Sequence, residues 1–104
     1  KEFEEVFRCS QRSTDKWVTV LARRNGKARA RLGLAISKKF ARKAVDRNRI
    51  KRMVRESFRR NKKSLRGLDL VIVGRKRPEK NERCLFTQSL RHHWQVVSER
   101  CRRC

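Results

Sequence analysis

Hydrophobic residues recur every three or four positions in the middle of the chain, and this spacing predicts a helix from about Asp46 to Lys63. One side of the helix is apolar and consists of Ile50, Met53, Val54 and Phe58. The opposite side is basic and consists of Arg52, Arg55 and Arg59, with Arg49 and Lys51 on its flanks. Such a helix packs one side on a core and presents the other to a polyanion, and RNA is the polyanion that we expect. Asp46 or Asn48 is the expected cap.

Three other segments have the composition of strands. The β-branched and aromatic residues of 17–22 predict one strand, and the alternation of large and small residues predicts a second over 31–37. The nearly continuous apolar run at 68–74 predicts a central strand that is buried on both faces. We expect a polar connection over 10–16, and a short extra strand is possible between the first two.

The two ends of the chain have the spacing of helices. Phe3 and Phe7 share one face of a predicted helix over 1–8. Asn81 is the expected cap of a last helix, and residues 99–104 are expected to fray. The apolar face of this last helix consists of Phe86, Leu90, His93 or Trp94, and Val97. The order α-β-β-(β)-α-β-α predicts an α+β two-layer sandwich with a mixed sheet, formed by one domain over 1–104.

The net charge favours a nucleic-acid partner. The chain has 32 Lys and Arg against 10 Asp and Glu, which gives a formal charge of +22. Self-repulsion at this charge destabilises the isolated fold, so a partner that neutralises it should stabilise the protein. No apolar run approaches 18 residues, so we expect no membrane span, and we expect a cytoplasmic protein with reduced thiols.

The densest basic motif is Arg47-Asn48-Arg49-Ile50-Lys51-Arg52. Guanidinium groups bind phosphates through two hydrogen bonds, and lysine adds a point charge. Asn48 either caps the helix, contacts a base or holds a neighbouring loop. The segment is either a nucleic-acid surface or a solvated basic face, and composition favours the first.

A catalytic centre is not visible in the sequence. Paired carboxylates, a nucleophile elbow, a phosphate loop and a metal-ligand cluster are all missing. Cys101-x-x-Cys104, together with Cys84, His92 and His93, suggests zinc only weakly, so reduced thiols are favoured. His92 and His93 are expected to be surface or core residues. We therefore expect no catalytic residue, no metal ligand and no cofactor of the protein's own.

Four motifs in this order, FxxVF, RLGLAISKKF, AVDRNRIKRMVRESFR and DLVIVGRK, resemble the protein subunit of bacterial ribonuclease P. The resemblance implies that the catalyst is an RNA, which uses bound Mg²⁺ to hydrolyse one phosphodiester of precursor tRNA and remove the 5′ leader. It also implies a left-handed crossover between the strand, the arginine-rich helix and the next strand. The protein itself is expected to be a monomer.

The resemblance also assigns the binding residues. The catalytic RNA is expected to contact Arg42, Arg47, Asn48, Arg49, Lys51, Arg52 and Arg55. The single-stranded leader is expected to lie in a cleft between the first helix and the sheet, against Phe3, Phe7, Trp17, Arg31, Lys38 and Lys39. Aromatic faces and cations together suit single-stranded nucleic acid of varied sequence. Without the resemblance, simple core packing is the favoured role of Phe3 and Phe7.

Two other functions compete with this interpretation. A ribosomal or ribosome-associated RNA-binding protein without nuclease activity would share the small size and the charge. A stand-alone nuclease would need an acidic metal-binding constellation that the sequence does not show.

Overall fold

A computed structural model gives the structure of residues 11–103, and the predicted first helix, with Phe3 and Phe7, lies outside these described residues. The strands are β1 (Gln11–Thr14), β2 (Val18–Arg24), β3 (Arg31–Ala35) and β4 (Leu68–Gly74). The helices are α1 (Ala44–Arg60) and α2 (Arg83–Arg103), and a 3₁₀ turn over Lys80–Glu82 precedes α2. The α+β class and the mixed sheet are confirmed.

The sheet has the strand order β1-β2-β4-β3. β2 is antiparallel to β1 and to β4, whereas β3 is parallel to β4. β4 therefore lies between two neighbours, and its first five residues are buried, as its apolar run predicts. Helix α1 connects the parallel strands β3 and β4, and the hand of this crossover stays an expectation from the family.

The position of the extra strand was predicted wrongly. It precedes the first predicted strand, in the segment that we expected to be a polar connection, and residues 25–30 between β2 and β3 form a loop. β1 lies at the edge of the sheet, and its side chains alternate between half-buried and exposed. Because Gln11–Thr14 contains no apolar residue, hydrophobic periodicity carries no signal for this strand.

Both helices pack on one face of the sheet and bury the sides that the sequence predicts. Helix α2 contacts β1 and β2, and α1 contacts β3 and α2. Ile50, Val54 and Phe58 of α1 are buried, and Met53 packs against the same core. Burying each large apolar side chain contributes about 1.5–3 kcal/mol. Trp94 of α2 donates an Nε1–H hydrogen bond of 2.8 Å to the Ser57 hydroxyl of α1.

The helix ends differ from the predictions. Lys43 occupies the N-cap position of α1 without a side-chain cap, and Asp46 instead pairs with Arg77 at 2.9 Å. Glu79, not Asn81, forms a capping box with Glu82 ahead of α2. Residues 99–103 continue α2 instead of fraying. Cys101 is buried in the core, and this anchors the last turn.

The Asp15 carboxylate fastens the β1–β2 turn to α2. Its Oδ1 accepts hydrogen bonds of 2.8 Å from the amides of Trp17 and Val18, and its Oδ2 accepts from the Ser89 hydroxyl and, at 2.8 Å, from His93 Nε2. With Nε2 donating to the carboxylate, a neutral His93 ring accepts at Nδ1 from Ser13 Oγ, 2.6 Å away.

This row of Ser, His and Asp has the composition of a hydrolytic triad but a structural role. The His93 side chain is only 2% exposed, so substrate cannot reach the imidazole. The sequence left a surface or a core position open for His93, and the structure places it in the core.

Candidate nucleic-acid interface

The exposed face of α1 carries the arginines that the helical spacing predicts. Arg49, Arg52 and Arg55 are exposed, whereas Ile50 and Val54, which alternate with them, are buried. Asn48 is also exposed, and Arg47 and Lys51 are half-buried. Because the apolar stripe fixes the rotation of the helix, these cations are held on a rigid surface before any ligand arrives.

The basic loop 36–43 is fixed by apolar anchors that alternate with its cations. Ile36, Phe40 and Ala41 are buried in the core, whereas Lys38 and Lys39 are exposed between them. The Ser37 carbonyl accepts hydrogen bonds from the amides of Phe40 and Ala41, which forms a tight turn.

Arg47 closes this loop onto α1. Its Nη1 donates to the carbonyls of Ala41 and Arg42 at 2.9 and 2.8 Å. The exposed Arg42 side chain is thereby brought to the start of the helix. Arg47 thus has a structural role that the sequence did not indicate, and it holds the end of the basic loop, with Arg42, against the start of α1.

Gly74 provides the space that the Phe40 anchor needs. A Cβ at Gly74 would lie 2.6 Å from the Cδ1 atom of the Phe40 ring. We expect Gly74→Ala to push the ring out of its site and to destabilise the protein by about 1–3 kcal/mol, because overpacking a core forces neighbours to move. The shift of the urea unfolding midpoint measures this effect.

Gly33→Ala is the control for Gly74→Ala. A Cβ at Gly33, also in a strand, meets its nearest atoms only at 3.8 Å, which is ordinary contact. We expect this variant to unfold close to the wild type. Equal midpoints for the two variants would show that the packing of the Phe40 ring does not require a glycine at position 74.

A basic cavity of about 340 Å³ opens beside the first turns of α1. Arg49 lines it together with Lys43, Arg77, Lys80 and Arg83. Two acids, Asp46 and Glu79, also line it, and both pair with Arg77, so the cations outnumber the acids by five to two. The positive end of the α1 dipole adds to the field of these side chains. Sequence reasoning missed Arg77, Lys80 and Arg83, because only the packing of the segment after β4 brings them to α1.

The structure separates the predicted leader-binding residues. Arg31 begins β3, and the length of that strand lies between it and the loop that carries Lys38 and Lys39. Arg31 binds the Asp69 carboxylate through two hydrogen bonds of 2.7 and 2.6 Å. The Arg31 hydrogen bond is the main reason why the pKa of Asp69 lies below its usual value, and the bond from Asn25 acts in the same direction.

The expectation that Trp17 contacts the leader does not fit the structure. Its side chain is only 6% exposed and lies in the main core, where it meets Phe86 edge to face with ring centroids 5.7 Å apart. The residue directly precedes β2, and the turn that Asp15 holds places the indole on the helix side of the sheet. An aromatic residue at a strand end has the same sequence signal whether it faces the core or a ligand.

The remaining candidate residues do not assemble into a metal site in the described part of the chain. Among residues 11–103, no three His, Cys, Asp or Glu side chains come together in a way that would hold a metal ion. Cys84 and His92 are exposed, whereas Cys101 is buried in the core. Over the same residues, no helix combines the length and the apolar character that crossing a membrane requires.

A sequence comparison decides the family. The Ribonuclease P family profile matches residues 1–98. This chain belongs to the Ribonuclease P protein family. The ribonuclease P protein component of Methylococcus capsulatus is 48% identical over 100 residues, which are 96% of this chain and 78% of that protein. The component from Thioalkalivibrio sulfidiphilus is 41% identical over 97% of this chain and 84% of its own length.

Solved structures agree with this family. The RNase P protein of Thermotoga maritima, in complex with 1-(4-fluorophenyl)-2-thiourea, superposes with a TM-score of 0.69 at 31% identity, over 94% of this chain and 92% of that one. The family acts in an endoribonuclease complex that processes tRNA, and this chain is a protein component of that kind. The comparisons give no support to the ribosomal alternative.

Proposed function

We propose that this chain supports removal of the 5′ leader from precursor tRNA by presenting fixed cations to a catalytic RNA, and that the RNA supplies the catalysis. The observation that carries this proposal is helix α1, which buries Ile50 and Val54 while it exposes Arg49, Arg52 and Arg55. Because the backbone of α1 is already fixed, only the side chains have to be ordered when their guanidinium groups bind phosphates, and this lowers the entropic cost. Membership of the Ribonuclease P family supports RNA as the polyanion.

The catalytic-RNA surface consists of α1 and the loop before it. We assign to it Arg42, Arg47, Asn48, Arg49, Lys51, Arg52 and Arg55, and add Arg77, Lys80 and Arg83 from the neighbouring cavity. We also propose that Lys38 and Lys39, which are exposed in the loop that Arg47 ties to α1, contact RNA.

The leader lies along the face of the sheet opposite to the helices, in the proposed arrangement. This face has an apolar cluster of Leu21, Val71 and Val73. Side chains alternate along a strand, so Asp69 of β4 lies on the same face as Val71 and Val73. Arg31 of β3 pairs with Asp69 and therefore lies on this face too. Phe3 and Phe7 complete the leader site in this proposal. A mixed apolar and cationic surface suits unpaired nucleotides of varied sequence.

The chemistry requires Mg²⁺ that the catalytic RNA, rather than the protein, holds. A bound Mg²⁺ stabilises the charge that develops on the oxygens of a phosphodiester during hydrolysis. The role of the chain is therefore to position two RNAs and to lower their mutual repulsion, as a cytoplasmic monomer.

Reconstitution tests this function. The purified full-length chain, a bacterial ribonuclease P RNA and a leader-bearing precursor tRNA are mixed at low Mg²⁺, and the 5′ end of the product is mapped. We expect cleavage at the mature 5′ end only when RNA and protein are both present, because the protein neutralises phosphates that Mg²⁺ would otherwise have to screen. Cleavage by the protein alone would contradict RNA catalysis.

A substrate without a leader is the matched control. We expect the holoenzyme to bind mature tRNA more weakly than precursor tRNA, since only the precursor reaches the sheet face. Equal affinities for the two tRNAs would contradict a leader site on this chain, even if reconstitution succeeds.

A further inference from the structure

A second basic cavity lies at the other end of the sheet from the loop 36–43. It has a volume of about 500 Å³ and opens between the start of β4, the loop after β2 and the last turns of α2. Its cations are Arg24, Lys27, Lys63, Arg66 and Arg102. None of the side chains that line it is acidic.

Hydrogen bonds from Arg24 to the end of α2 keep the wall of this cavity positively charged. Arg24 donates from Nε to the carbonyl of Cys101 at 2.8 Å and from Nη2 to the carbonyl of Arg102 at 2.9 Å. These carbonyls form the negative end of the α2 dipole and would otherwise repel an anion. The Arg24 guanidinium therefore masks them, while the neighbouring Lys27, Lys63 and Arg66 are exposed.

The backbone around the cavity is fixed. Gly67 has a φ of +78°, and its carbonyl accepts a 2.8 Å hydrogen bond from the Asn25 amide, which ties the connection after α1 to the loop after β2. Leu65 and Leu68 are buried on either side of Arg66. Lys63 and Arg66 thus start from a backbone that is anchored in the core, like the cations of the loop 36–43.

The distance between the two basic regions is also fixed. The 17 residues of α1 separate the N-terminal cations from the connection that carries Lys63 and Arg66, which corresponds to about 25 Å. This exceeds the Debye length of about 8 Å at physiological ionic strength, so one phosphate cannot satisfy both regions. Two cation groups at the ends of one rigid helix suit a partner whose phosphates are also held at a fixed separation.

We propose that this cavity, lined by Lys27, Lys63 and Arg66, binds the phosphodiester backbone of a second segment of the catalytic RNA. The proposal rests on the function proposed above and adds a second point of attachment to it. A folded RNA keeps its phosphates at fixed distances, so it gains from both ends of α1 at once. A flexible leader would have to be ordered over that distance first, which costs binding free energy.

The test compares two double variants of the full-length chain that remove equal charge. Lys63→Ala/Arg66→Ala removes two cations from the proposed site. Arg60→Ala/Arg91→Ala removes two cations from a groove between the helices to which no RNA contact is assigned. Affinity for a bacterial ribonuclease P RNA is measured by filter binding over a range of salt concentrations. We expect the first variant to bind about tenfold more weakly and to reduce the log–log salt slope by about 1–2, because each phosphate contact contributes about 0.9. The control should change the affinity by no more than about twofold and should leave the salt slope nearly unchanged.

Hydroxyl-radical footprinting of both the catalytic RNA and the precursor tRNA in the assembled complex locates the contact. We expect Lys63→Ala/Arg66→Ala to remove protections that Arg49→Ala/Arg52→Ala leaves in place. Equal losses of affinity in the two charge-matched variants would overturn the proposal, as would lost protections that fall on precursor tRNA instead. If the wild-type chain itself fails to bind the RNA or to support cleavage, the proposed function fails. If the wild-type chain binds the RNA and supports cleavage, but Lys63→Ala/Arg66→Ala behaves like the wild type, the proposed function stands and the second site fails.

Discussion

Replacing Arg49 and Arg52 by alanine is expected to weaken binding of the catalytic RNA by about 100-fold at physiological salt. Both side chains are exposed on α1, and each is expected to bind phosphate through charge-assisted hydrogen bonds worth about 1.5–3 kcal/mol, or roughly tenfold or more. The log–log salt slope should fall by about 2, since two phosphate contacts are lost. Filter binding across a salt series measures both quantities.

Folding of this variant should be unaffected, because the buried side of α1 is unchanged. Its urea unfolding midpoint is therefore expected to match that of the wild type. The charge-matched control is Arg60→Ala/Arg91→Ala, and we expect it to keep nearly all of the affinity. A similar loss in both variants would mean that net charge alone, rather than the arginine face of α1, determines binding.

Replacing Asp15 by alanine is expected to destabilise the fold by about 3 kcal/mol. The substitution removes the acceptor for the Trp17 and Val18 amides, for Ser89 and for His93, and unsatisfied buried groups cost about 1–3 kcal/mol each. This is a large fraction of the 5–15 kcal/mol that stabilises a typical domain. A fall in the urea midpoint at neutral pH measures it.

Glu56→Ala is the control for Asp15→Ala because it removes the same charge. Its carboxylate is exposed and pairs with Arg59 and Arg60 within one helix, and exposed pairs contribute little. We expect a much smaller shift of the midpoint. Equal shifts would show that lost charge, rather than the hydrogen bonds of Asp15, explains the instability.

The same contacts predict a loss of stability in acid. Burial raises the pKa of Asp15, but hydrogen bonds from Ser89, Val18, His93 and Trp17 outweigh it, and the pKa lies below its usual value. A lowered pKa contributes stability above the unfolded value of about 3.9, and this contribution is lost as the pH falls through the folded value. Below about pH 4 the wild type should therefore lose stability faster than Asp15→Ala, which a series of unfolding curves from pH 6 to pH 2 would show.

Periodicity predicted the long elements of this fold because their packing is visible within one segment. Ile50, Val54 and Phe58 repeat at helical spacing, and the apolar run of β4 indicates a strand buried on both faces. β1 was missed as a strand because its pairing with β2 depends on the Asp15 turn rather than on apolar residues. The position of Trp17 was not predictable either, since an indole at a strand end carries no information about which layer covers it.

The sequence by itself determined the α+β class and the basic and apolar sides of α1, and it predicted a polyanionic partner. These properties follow from composition and from a spacing of three or four residues, which is local in the chain. Only the tertiary structure decided that Arg77 joins that face, that Arg31 is held by Asp69, and that Lys63 and Arg66 share a cavity with Arg24. Each of these relations joins residues more than 20 positions apart, and such distances become short only when the sheet and the helices pack around one core.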